Sequence, residues 1–141
     1  MALVARASRE DIAAGLAKLK ALPLYEVVRA PEIGLVMVRG RIAGTGAPFN
    51  LGEATATRAA VRLASGEMGS SLILGRDKEK ARLAALADAL WAKPDWRDAL
   101  ERTLAAPLRQ NFAERDAHEA RKTAATKVEF FTLRRGEDDA P

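Results

Sequence analysis

The stretch Ala54-Thr55-Ala56-Thr57-Arg58-Ala59-Ala60-Val61-Arg62-Leu63 repeats with a period of two, and that period decides for a sheet against a helix bundle. Successive side chains of a strand point to opposite faces, so Thr55, Thr57, Ala59, Val61 and Leu63 share one face and Arg58 and Arg62 the other. Upstream, residues 24–30 and 33–42 read as two strands joined by a turn at Pro31-Glu32. Downstream, Ser65-Gly66-Glu67-Met68-Gly69 reads as a turn and residues 71–75 as a fourth strand. Residues 128–133 are apolar on both faces, as a buried strand would be. The expected fold class is therefore α+β, a mainly antiparallel sheet of four to five strands flanked by helices.

Those helices have recognisable starts and breaks. Ser8, with Asp11 three residues later, marks a helix start close to a capping box, and Ile12, Leu16 and Leu19 follow at helical spacing until Pro23. Asp77 is placed to cap a second helix, whose buried stripe is expected to be Leu83, Leu86 and Leu90. Lys93-Pro94-Asp95 breaks it, and Asp95 is expected to start a third helix carrying Trp96, Leu100 and Leu104 on one side. Pro107 is expected to interrupt again. Beyond Leu108 and Phe112 the inner face of residues 108–125 is mostly alanine, too little apolar bulk for a helix that packs alone. A partner surface is the natural expectation.

The chain has 141 residues, a length for one domain (residues 1–141), with residues 134–141 expected as a polar, mobile tail. Apolar residues make up 48% but aromatics only 5%, so large core anchors are scarce and a core shared with a partner is plausible on composition. The net charge of +4 is mild, and no motif aims a basic stripe into a groove, which argues against nucleic acid. There is no cysteine, which removes disulfides, thiol nucleophiles and cysteine-held clusters, and fits a cytoplasmic protein. The first residues lack the basic and apolar regions of a signal peptide, and no run of about 18 apolar residues occurs, so no membrane span is expected.

Several residues invite a chemical reading, each with a plainer alternative. Gly44-Thr45-Gly46 could cradle a phosphate on backbone N–H groups, but no lysine follows and Pro48 leads away from a helix, so a turn or β-bulge is the competing reading. Arg58 and Arg62 share a face at roughly 13 Å, a span suited to a polyphosphate or two carboxylates. Arg39 and Arg41 also share a face. The competing reading is a solvated, ion-paired sheet surface. Arg76 precedes the helix capped by Asp77, a position open to an anionic group. His118 is the sole histidine, flanked by Asp116 and Glu119; it reads as a solvated surface residue and makes no metal site by itself. Neither Glu26 nor Glu53 has a second group placed beside it, so no catalytic residue is assigned. Phe130 and Phe131 are consecutive and must point to opposite faces of a strand, one of them toward the core or a partner.

Three blocks, in order, resemble one family. They are Tyr25-Glu26-Val27-Val28-Arg29-Ala30-Pro31-Glu32-Ile33-Gly34-Leu35-Val36 running on into Gly44-Thr45-Gly46; residues 52–63 followed by Gly75-Arg76-Asp77-Lys78; and Lys127-Val128-Glu129-Phe130-Phe131-Thr132-Leu133-Arg134-Arg135-Gly136-Glu137-Asp138. The chain resembles the G subunits (PhnG) of the bacterial carbon–phosphorus lyase core complex. Family members begin with a longer helix, of which residues 1–6 resemble the second half. The resemblance implies an accessory, non-catalytic subunit working with H, I and J subunits, chiefly the I subunit. It implies that the complex joins an alkyl phosphonate to the ribose of ATP with release of adenine, ATP being a substrate of the complex and no cofactor being bound by this chain. Under it, Gly44-Thr45-Gly46 becomes a loop completed by another subunit, and the arginine face a partner or substrate surface. A stand-alone module binding an anion or nucleotide is the alternative, and an independent enzyme a further one.

Overall fold

The computed structural model describes residues 2–126. The chain divides into two compact units, Met1–Gln110 and Asn111–Pro141. In the first, two short helices, α1 (Ala2–Arg6) and α2 (Arg9–Ala17), precede strands β1 (Tyr25–Arg41), β2 (Pro48–Leu63) and β3 (Met68–Leu74). Helices α3 (Lys78–Ala92) and α4 (Pro94–Leu100) follow, then a π-helical segment (Glu101–Ala105) that runs into α5 (Ala106–Ala125). The strands form one antiparallel sheet of order β1-β2-β3. The fold is thus α+β. Three strands lie among the described residues; the strand expected over residues 128–133, with Phe130 and Phe131, lies outside them.

The two strands expected before Gly44 are one. The turn expected at Pro31-Glu32 is a bulge: pairing passes from Arg29↔Ala60 to Glu32↔Arg58, so Ala30 and Pro31 together face Ala59. Proline donates no ladder bond, which an edge strand with a bulge tolerates, and β1 is an edge strand. Pro48 corrects the sequence reading as well, because it opens β2 in register with Arg41 and does not lead into a loop.

One face of β2 is buried as the alternation requires: Thr57, Ala59, Val61 and Leu63 are each 2% exposed or less, while Arg58 and Arg62 stay exposed. Thr57 satisfies its buried hydroxyl by donating to the Gly75 carbonyl at 2.7 Å, which ties β2 to the end of β3. Helix α3 covers this face with small residues. Ala81, Ala84, Ala85 and Ala89 are buried beside Leu86 and Leu90, whereas Leu83, expected in the stripe, is only half-buried. Small residues let helix and sheet approach closely, and Gly69 marks the contact: a Cβ there would lie 2.2 Å from the Ala85 carbonyl oxygen and the Ala89 nitrogen. Gly69 therefore belongs to β3 and its packing, not to the turn read from the sequence. The turn is made by Gly66, at φ +106°.

The helix caps follow local chemistry. Ser8 accepts from the Asp11 N–H at 3.0 Å and Asp77 from the Lys80 N–H at 2.8 Å. Asp95 does not cap α4. Pro94 holds the first position there, where its missing N–H costs nothing, and Lys93 occupies the cap. Pro107 does not interrupt the helix. The chain widens to a π-turn just before it, which accommodates a ring that would otherwise press on the carbonyl four residues back. Gly15 of α2 packs on this segment, since a Cβ there would meet Leu104 Cδ1 at 2.6 Å. In the second unit, the α5 residues from 113 onward are all exposed, His118 among them.

Candidate functional site

The β1–β2 hairpin is longer than the layer that supports it. Strand β3 pairs with β2 only as far as Ala56↔Leu74, yet β1 and β2 remain paired out to Arg41↔Pro48. Residues 35–41 and 48–55 therefore form a two-stranded arm with no third strand beside it among the described residues. A lone two-stranded ribbon is marginal in water unless something covers it. This one carries Leu35 (63% exposed), Met37, Val38, Phe49 and Leu51 (66% exposed), with Ile42 at the tip. On the outer face of the sheet, opposite to that of Leu35 and Met37, Leu72 and Leu74 (72% exposed) add further exposed apolar surface. A groove of about 710 Å³ runs along that face, lined in part by Leu35, Val36, Arg58, Leu72 and Asp88. Exposed apolar surface of this extent, rimmed by charge, marks an interaction site.

Gly44-Thr45-Gly46 closes the arm. A 3-10 turn spans Ile42–Gly44, Gly44 has φ +78°, and the Gly46 N–H donates to the Ile42 carbonyl at 2.9 Å. The Gly46 carbonyl accepts from Arg41 at 3.1 Å. At least one N–H of the loop is thus spent within the turn.

Arg58 and Arg62 stand on one face of β2, as their spacing requires, and each meets a carboxylate directly across on β1. Arg62 Nε donates to Glu26 at 2.6 Å, and Arg58 donates to Glu32, which also accepts from Arg29 at 3.0 Å. The hydrogen bond from Arg58 holds the Glu32 carboxyl below its ordinary range; desolvation opposes it, and the charges of Arg58 and Arg29 add to the lowering. These are exposed pairs between facing residues of neighbouring strands, and they set register more than stability. Arg76 lies in neither pair and on no strand. It occupies the bend between β3 and α3. At the other end of β1, Arg82 of α3 donates to the Tyr25 hydroxyl and to Glu79, with its guanidinium 5.9 Å from the Tyr25 ring centre. Among the described residues no group of three metal-type side chains converges, and no helix is long and apolar enough to cross a membrane.

The sequence is matched over residues 1–136 by the profile of a family described as "Phosphonate metabolism protein PhnG". The chain belongs to the PhnG family. A relative from Rhizobium meliloti (strain 1021), named alpha-D-ribose 1-methylphosphonate 5-triphosphate synthase subunit PhnG, is 47% identical over 138 residues, covering 98% of this chain and 88% of the relative. That relative is a subunit by name, and the bare arm of this PhnG chain is the kind of surface a subunit presents.

Leu35, Met37, Val38 and Leu51 were not singled out by sequence. Residues 33–42 read only as a strand. The signal was in the pairing: opposite Leu35 to Val38 stand Thr55, Ala54, Glu53 and Gly52, too small or too polar to add apolar bulk beside it.

Proposed function

We propose that this chain is the PhnG-type subunit of an alpha-D-ribose 1-methylphosphonate 5-triphosphate synthase in bacterial phosphonate catabolism, and that it contributes architecture, not catalytic groups. The observation that carries the reading is the 47% identity to a synthase subunit across nearly the whole chain. The uncovered arm supports it independently, because a stand-alone protein gains nothing from Leu35, Met37 and Leu51 in water. In the proposed assembly, H-, I- and J-type subunits are the partners, chiefly the I subunit, and the site of action is the cytoplasm. The complex is a transferase: a phosphonate oxygen bonds to the ribose C1 of ATP, the bond from C1 to adenine breaks, and adenine leaves. ATP is a substrate of the complex, and this chain binds no cofactor of its own.

Within that assembly, Arg58 and Arg62, already paired with Glu32 and Glu26, present an ion-paired surface to a neighbour. Gly44-Thr45-Gly46 and Arg76 remain available to an anionic group of a partner or substrate. Phe130 and Phe131 serve as anchors toward a partner. Tagged chain co-expressed with the H, I and J subunits is expected to recover them in one particle by native mass spectrometry. Recovery of the tagged chain alone, as a stable monomer that binds ATP or methylphosphonate, would instead support the stand-alone binding module.

A further inference from the structure

The sheet has two edges, and they are not treated alike. At β3 α3 takes up part of the edge: the Ser70 N–H donates to Asp88 Oδ2 of α3 at 2.9 Å, while the Ser71 hydroxyl donates to the Ala81 carbonyl at 2.7 Å and Gly69 lies against the α3 backbone. Among the described residues, strand β1 forms the opposite edge over 17 residues. Its first part is guarded by bulges after Val27 and Arg29 and by Pro31, which offers no N–H. From Glu32 to Val38 the register with β2 is unbroken, and the next irregularity falls between Val38 and Arg39. In that window Ile33-Gly34-Leu35-Val36-Met37-Val38 contains no charge, no proline and no bulge, so every device that blunts an edge is missing after Glu32.

Resting on the subunit reading above, we infer that the β1 edge at residues 32–38 accepts an extended segment of another polypeptide as a fourth strand, a segment with apolar side chains and an acidic residue toward the arm's tip. Charge selects this occupant. The Glu32 carboxylate is engaged by Arg58 and Arg29, while Arg39, just past the window, has no ion-pair partner among the described residues, and Glu53, opposite Met37, is the arm's own acid. Arg41 donates to the Gly46 carbonyl. Arg39 and Arg41 outnumber Glu53, so the end of the edge is net cationic and calls for an acid. A second copy of the chain fits poorly, because antiparallel pairing centred on Leu35 sets Arg41 opposite Arg29, and like charges facing across strands repel. Main-chain bonds would supply affinity, and the Leu35, Met37 and Val38 side chains the specificity, as in other strand additions.

Backbone hydrogen exchange distinguishes strand addition from side-chain contact. It is to be measured for the full chain alone and in the particle formed with the H, I and J subunits. The inference expects alternate amides within residues 32–38 to slow by about tenfold or more on assembly, and Arg39→Glu to weaken assembly by about tenfold in a salt-dependent way. If the particle forms while those amides are unchanged, the strand addition is wrong and the subunit reading stands. If no particle forms, the subunit reading fails and takes this one with it. Protection of the same amides in the chain alone, together with the mass of a dimer, would make the occupant a second copy and overturn the inference.

Discussion

Gly69 and Glu32 show how much of this molecule rests on single atoms. At Gly69 the obstacle to a side chain is the α3 backbone itself, 2.2 Å from where a Cβ would sit, and backbone cannot swing aside as a side chain can. Gly69→Ala is expected to push α3 off the sheet and cost about 1–3 kcal/mol in a denaturant melt, within the range for overpacked cores. An unchanged midpoint would contradict the close approach. Glu32 is a matter of charge. Its carboxyl is held below the ordinary range by Arg58 first, so the stabilisation it provides is present above the unfolded-state pKa of about 4.3 and is lost as pH falls through the lower folded value. Replacing Arg58 by Ala is expected to move the Glu32 carboxyl titration, followed by NMR, back up toward its ordinary range; no movement would mean that another group holds it. The face carrying Arg58 was legible from the period of two, but its partner was not. Glu32 is distant in sequence, and only the bulge at Pro31 brings the two into register.

At the scale of elements, local signals did well and pairing signals did not. Ser8 and Asp77 cap the helices they were expected to cap, because an N-cap is decided within four residues. Pro31, Pro94 and Pro107 all read as breaks, and only the one at Pro94 lies between elements. The others are absorbed by a bulge and a π-turn, adjustments that depend on what the neighbouring strand or helix supplies. The arm was hidden for the same reason, since its exposure follows from β3 ending at Leu74 and not from its own residues. Joining Met37 to Glu53 through Asn-Gly, in place of residues 38–52, is expected to leave the melting of the chain within about 1 kcal/mol, because that part of the ribbon has no packed layer beneath it. The same change is expected to abolish recovery of partner subunits. A cooperative loss of the whole fold would show that the arm is structural.

For the whole molecule, a small alanine-rich α+β unit displays an apolar arm and sheet face that the described residues leave uncovered, and on the reading proposed above other subunits cover them. Family membership was legible from three ordered blocks of sequence. The surface that gives membership a physical meaning was not, because exposure is a property of the assembled fold. On the subunit reading proposed above, the chain is expected to do no chemistry unaided. The most direct measurement is adenine release from ATP and methylphosphonate by the full set of synthase subunits, by the same set lacking this chain, and by this chain alone. The account predicts adenine from the full set only. Adenine from the isolated chain, or undiminished release when it is omitted, would contradict it.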